Sequence, residues 1–465
     1  MAQLPPLVAC LSLTVAITGC AAVSERPATA PVPAPPDFAS KRPPMPDTLL
    51  RDKPEGRYLA PIPAIGYDEE EGFGIGAIAE LIDNGERSDP LFAIAPYRSK
   101  WAFSAQWWTV GASTMSVSWD RPYVGGGPYR LRTGVAYGTS PTRNYHGLGN
   151  DAMAPLSYPG EPGATFTDFN SYDAALNQVA NGRTWSRYNK WDSQDLVMGA
   201  SIERDVAGGV LRPFLGFQFG HTWTEDFSGQ QVTVPDSSGQ EISALQNPTR
   251  LRTDCVARKA RGCDGGWDNF VRLGLTYDTR DFEPDPSRGL HVQLAGNVAT
   301  RLLGSDFEYM RATVSAAGFH EVIDRRRLII AARGLYSTQS DDVPFLGGST
   351  LAVNGFPLAG LGGHKTLRGH RRERFLGQSA ANASVELRSS LNEGRLLFGQ
   401  HLRPMLVGFA DTGRVFEDLN LSFEDWRTSY GLGLRLAWNV ATIVAFDLAR
   451  SGEETIFYME LGHPF

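Results

Sequence analysis

The chain has 465 residues, of which 11% are aromatic and 20% charged, with 50 glycines and a net charge of -7; its mean hydropathy is -0.24. A bundle of membrane helices is excluded, because each span needs roughly 20 consecutive apolar residues and none follows residue 24. The excess of acid argues against general nucleic-acid binding.

Met1 to Ser24 carries no charge and holds an apolar run from Leu7 to Thr18, so residues 1–20 are read as an export signal. Ile17-Thr18-Gly19-Cys20 has the form of a lipobox, which would place a lipid on Cys20; cleavage near Ala22 without lipidation is the alternative. Residues 21–68 contain eleven prolines. Proline cannot donate to a backbone ladder, so this segment is expected to be an extended periplasmic linker.

From Glu69 onward the pattern becomes short alternating segments. Leu196, Met198, Ala200 and Ile202 alternate with Val197, Gly199, Ser201 and Glu203; Leu290, Val292 and Leu294 alternate with His291, Gln293 and Ala295. Leu432, Leu434 and Leu436 alternate with Gly431, Gly433 and Arg435, and Phe457, Met459 and Leu461 with Tyr458, Glu460 and Gly462. A lipid-exposed wall with a wet interior requires one such apolar face. The predicted strands run 69–83, 90–97, 101–110, 114–122, 130–140, 192–206, 210–227 and 268–279, then 289–302, 308–322, 327–340, 378–391, 404–416, 428–438, 442–451 and 455–465. An all-β fold is therefore expected over 69–465: a transmembrane antiparallel barrel of sixteen strands, closed by pairing 69–83 with 455–465. Short turns at 207–209 and 324–325 alternate with long links at 141–191, 228–267 and 341–377, the usual asymmetry between periplasmic and outer ends. A soluble sandwich or propeller is the competing fold; no repeat of fixed period supports it.

Beyond the signal, Cys255 and Cys263 are separated by seven residues. In an oxidising periplasm that spacing reads as a disulfide stapling a loop. No His or Cys clusters nearby, so no metal is expected.

Several segments resemble the outer-membrane superfamily of BamA, TamA and the two-partner secretion pores, which includes the bacterial surface antigen barrels. Leu367-Arg368-Gly369-His370 resembles its Arg-Gly-aromatic motif, carried on an outer loop that folds into the lumen between strands eleven and twelve. Phe409-Ala410-Asp411-Thr412-Gly413 resembles its Phe-x-Asp-x-Gly pattern on the thirteenth strand. Tyr277-Asp278-Thr279-Arg280-Asp281, with Pro286 and Gly289, resembles a periplasmic turn, and Asn144 to Asn150 a surface-antigen segment. The resemblance implies that Arg368 reaches Asp411, and that Phe457, Met459, Leu461 and Phe465 form the C-terminal assembly signal. His370 stands where the family has an aromatic residue, and His463 where it has an apolar one. Residues 21–68 are too few for a POTRA domain, so a short member lacking them is expected.

His364 to Arg374 reads HKTLRGHRRER, with five Lys or Arg and one Glu. A buried guanidinium needs a carboxylate, best held at two points. Asp411 fits through the resemblance; Glu386, Asp447 and Glu460 fall on polar faces and read first as lumen lining. There is no G-x-S-x-G, H-E-x-x-H or P-loop, so neither an enzyme nor a cofactor is expected. The functional expectation is translocation or assembly at the outer membrane, with outer-membrane lipid, the barrel-assembly machinery and a protein or lipid client as partners. A passive pore or closed surface antigen is the alternative.

Overall fold

The computed structural model describes residues 33–68, 71–235, 239–340, 343–345, 360–391, 394–395, 401–418, 422–438 and 442–465; Cys20 and the export signal lie outside them. Eighteen strands of these residues hydrogen-bond in one sheet. Two, Gly266–Trp267 and Gly394–Arg395, are two residues long. The others are β1 (Arg57–Asp68), β2 (Gly72–Asp83), β3 (Ser99–Trp108), β4 (Ser113–Arg121), β5 (Tyr129–Asn144), β6 (Lys190–Arg204), β7 (Leu211–Asp226) and β8 (Phe270–Asp278). They continue as β9 (Gly289–Ala299), β10 (Tyr309–Ile323), β11 (Leu328–Gln339), β12 (Ser379–Ser390), β13 (His401–Phe416), β14 (Arg427–Trp438), β15 (Thr442–Ser451) and β16 (Thr455–Leu461). Each pairs antiparallel with the next. The sheet curls until β1 lies alongside β16. Among the described residues no ladder joins these two strands.

The pattern of β10 shows why the sheet curls this way round. Met310 and Val314 are 62% and 39% exposed, whereas Arg311 and Thr313 between and beside them are buried. Apolar side chains therefore cover the outer face and polar ones the inner, the inverse of a soluble core. Inner hydroxyls satisfy one another across neighbouring strands, as in Thr313 with Ser337 at 3.0 Å and Ser104 with Ser116 at 2.7 Å. No helix among the described residues is long and apolar enough to cross a membrane.

Two expectations fail at the start of the sheet. Residues 90–97 form turns, not a strand; Pro90 and Pro96 flank them, and Phe92, Ala93 and Ala95 are buried. Residues 33–68 of the proline-rich segment, by contrast, hold a helix at Asp47–Asp52 and β1 at Arg57–Asp68. β2 therefore pairs with β1 and β3 and not with β16. β1 tolerates Pro61 and Pro63 because of its parity. The Asn84 amide donates to the Gly56 carbonyl at 2.8 Å, and successive residues of an antiparallel strand turn their backbone groups to opposite sides. With Arg57 opposite Asp83, positions 58, 60 and 62 bond to β2 while 61 and 63 face away. Proline is acceptable on such an edge.

Residues 33–56 lie against the turns at one end of the sheet. The Lys41 amide donates to the Gly208 carbonyl at 2.9 Å, the Met45 amide to the Ala93 carbonyl at 2.7 Å, and Arg42 pairs with Glu283 at 3.0 Å. Lys53 Nζ donates to the Phe92 and Ala95 carbonyls at 2.7 and 2.8 Å. At the opposite end the longer links build a cap. It holds a four-stranded sheet (Val179–Ala180, Arg183–Thr184, Gln231–Pro235 and Glu241–Gln246), a helix at Phe169–Leu176, and an apolar cluster that includes Leu156, Tyr158, Tyr172 and Tyr188.

Cys255 and Cys263 are disulfide-bonded within this cap, beside Tyr145, Trp191, Leu251 and Phe345. Closing so short a loop contributes about 2–3 kcal/mol at most in the chain-entropy description, and only to the cap. Replacing both cysteines by alanine should accelerate proteolysis between residues 228 and 267 while the heat-induced gel shift of the folded sheet stays unchanged. An equal loss in both measurements would count against a local role.

Candidate functional site

The link between β11 and β12 returns through the interior. Gly360 to Leu376 is almost wholly buried, although it contains the basic run. Arg368 is 1% exposed. Its Nε and Nη2 donate to the two oxygens of Asp411 at 2.7 and 2.8 Å, and Nη1 donates to Glu386 at 2.7 Å and to Asp447 at 3.3 Å. Asp411 thus provides the expected two-point contact, whose planar geometry suits guanidinium and not ammonium. The guanidinium also lies 3.5 Å from the centre of the Phe409 ring, a cation–π contact strengthened by the burial of both groups.

Glu386 and Asp447, read from the sequence first as lumen lining, are direct partners of Arg368. Glu386 also accepts from Arg388 Nε at 2.8 Å, and Asp447 from Arg435 at 2.5 and 2.9 Å. Three carboxylates therefore face three guanidiniums, all nearly inaccessible to solvent. Burial alone disfavours the charge on Arg368; the hydrogen bonds it donates to Asp411 and the fields of Glu386 and Asp447 outweigh it and raise its pKa. His364 Nε2 meets Asp447 at 3.0 Å, and burial lowers the His364 pKa, favouring the neutral ring. Arg388 and Arg435 were not singled out from sequence, although both stand opposite leucines in the alternation. Among the described residues no group of three His, Cys, Asp or Glu is placed to hold a metal.

Gly369 permits the turn after Arg368. Its φ is +79°, and a Cβ there would lie 3.0 Å from the backbone of Arg450. Its amide donates to Tyr458 Oη at 3.0 Å. A Cβ at Gly413 would lie 3.0 Å from the Leu361 side chain and 3.1 Å from the Ala381 carbonyl. His370 packs edge-on against Phe375, with ring centres 5.2 Å apart, and meets Glu453 at 3.1 Å. Glu453, in the turn between β15 and β16, is half-buried, which would raise its pKa; Arg374 and His370 instead hold it down at about 2. Arg371 pairs with Glu454 at 2.9 Å, and Arg143 of β5 with Glu373 at 2.5 Å.

The C-terminal residues depart from the expected signal. Strand β16 ends at Leu461. Phe457 is exposed on the outer face, and Met459 and Leu461 are half-buried. Phe465 folds inward against Phe319, with Arg333 4.8 Å from its ring centre. His463 meets Asp285 at 3.1 Å, where Asp285 also pairs with Arg326 and Arg403. Glycine 462, with φ at +79°, makes this inward turn. Asp285 sits in the turn that resembled the family's periplasmic one, but the sequence carried no signal of its role.

The Omp85 superfamily domain matches residues 103–465. The chain belongs to the Omp85 superfamily. A second family, a domain of unknown function, matches residues 37–98, which includes most of the segment packed against the short turns and β1. Similar solved structures include BamA from Haemophilus ducreyi lacking POTRA domains 1–3, at 13% identity and a TM-score of 0.48, covering 88% of this chain and 71% of that one. CdiB from Escherichia coli is similar at 10% identity and a TM-score of 0.47, covering 89% and 68%. No curated protein matches the sequence. As an Omp85 protein the chain is a bacterial outer-membrane β-barrel, and its outer apolar face is the face toward lipid.

Breaking a fully buried ion pair by removing one partner typically costs about 3–5 kcal/mol. Arg368→Ala and Asp411→Ala should each expose the loop of this Omp85 barrel to protease, and the double variant should be little worse than either. Arg368→Lys should be nearly as harmful as Arg368→Ala. Additive losses in the double variant would mean that the two side chains act separately.

Proposed function

We propose that this Omp85 barrel is a sixteen-stranded wall with a weak seam between β1 and β16, acting in the movement or assembly of protein or lipid at the outer membrane. The observation that carries the reading is the loop fixed in the interior beside an unzipped seam. Its anchoring charges stand on β12, β13 and β15, and Tyr458 of β16 holds its turn. The Arg368 turn is thus held by the half of the wall that ends at the seam, while Glu373 is held by Arg143 of β5, so displacement of that half would pull the loop against its second anchor. The short-turn end, where residues 33–56 dock, is assigned to the periplasm. Export by a signal at 1–20, lipidation of Cys20, and insertion by the barrel-assembly machinery belong to the same proposal.

The second reading is a passive or purely structural barrel, favoured by the buried loop and the ordered cap. Depletion separates the two. Loss of the protein should change the outer-membrane content of particular proteins or lipids before growth slows. An unchanged outer-membrane proteome and lipid profile would leave the passive reading standing and remove the active one.

A further inference from the structure

Both strands at the seam are compromised as hydrogen-bonding edges. On β1 the seam-facing positions include Pro61 and Pro63, by the parity that the bond between Asn84 and Gly56 sets. Proline has no N–H, so two successive donors are missing from that edge. On β16 the Gly462 amide donates to the Ile443 carbonyl at 2.8 Å, and the Ser451 amide to the Glu454 carbonyl at 2.9 Å. Even-numbered positions thus bond to β15, and 455, 457, 459 and 461 face the seam. There the Leu461 carbonyl already accepts from Lys365 Nζ at 3.2 Å, an ammonium that also donates to the His463 carbonyl at 3.1 Å.

Behind the seam lies a cavity of about 780 Å³ between the loop and the first strands. Its seam side is formed by Ile62, Ile456 and Tyr458, and Ser104, Gln106 and Ser116 of β3 and β4 also line it.

We propose that the seam is a slot which refuses an added β-strand along β1 and admits a membrane phospholipid, its acyl chain between β1 and β16 and its polar head in the cavity. The proposal rests on the barrel reading above and names its cargo class. An added strand draws its affinity from alternating backbone donors and acceptors on the edge it joins, and Pro61 and Pro63 withhold the donors. An acyl chain needs none. The apolar seam wall backed by hydroxyls matches an amphiphile, and the slot opens on the face that hydrocarbon wets.

The test uses the full chain in nanodiscs of phosphatidylethanolamine and phosphatidylglycerol containing a phosphatidylethanolamine with a diazirine on its acyl chain. Irradiation should label inward-facing Ile62 and Ile456 as well as outward-facing Phe457 and Leu432. An alternating Val-Thr peptide bearing the same diazirine should not label β1. In Pro61→Val/Pro63→Val, labelling of Ile62 by lipid should fall by about tenfold or more, the shift that two added hydrogen bonds of ordinary net strength produce. Lipid label confined to outward residues, peptide label on β1, or unchanged labelling in a folded double variant would overturn the proposal. If the valine variant fails to fold, the wild-type pattern alone decides. Absence of label on Phe457 and Leu432 as well would instead refute the barrel reading.

Discussion

Everything inside this wall depends on charges that cannot be left alone. A guanidinium or carboxylate removed from water loses several kcal/mol of hydration even after relaxation, and only a close partner with good geometry offsets that. Arg368, Arg388 and Arg435 set against Asp411, Glu386 and Asp447 meet the condition together. Arg368 satisfies three carboxylates at once, so the loop has one docked position and not several. The cluster does for the interior what an apolar core does in a soluble protein: it makes one arrangement much better than its neighbours.

The same reasoning explains the inverted wall. With lipid outside, exposed Leu273, Leu294 and Leu432 cost nothing, and the polar residues between them find partners on adjacent strands or on the loop. The interior need not be filled by hydrocarbon, which is why a basic segment can enter it. At the short-turn end a second charge cluster works similarly, with Glu283 receiving Arg42, Arg130 and Arg212. The Arg42 pair, and not apolar burial alone, joins residues 33–56 to the rest of the chain.

Most of the wall was legible because alternation is local. Strands from β3 to β15 fall close to the expected segments, and the Arg368–Asp411 pairing followed from two short motifs. The failures have a common origin in partners distant in sequence. A proline-rich stretch reads as a linker until the parity of its neighbour shows that Pro61 and Pro63 stand on a free edge. Residues 90–97 look strand-like, but their backbone carbonyls receive the Met45 amide and the Lys53 ammonium, which also lies over the Phe92 ring. Phe465 continues the alternation by eye; Gly462 ends it, and Arg333 and Phe319 take the ring. Glu386 and Asp447 were visible as inward carboxylates, yet nothing local distinguished a partner of Arg368 from a residue facing water.

Because every long strand pairs with its successor in the chain, the entropy of bringing strands together is met one hairpin at a time. Each connection bears its own modest loop-closure cost, which grows only with the logarithm of its length. The meeting of β1 with β16 is different in kind, since the chain between them is nearly the whole protein and no ladder rewards the encounter. Ring closure must therefore come from curvature accumulated along the wall and from the inner charges. The kinetics of assembly should accordingly have a fast, sequential phase and a slow, collective last step.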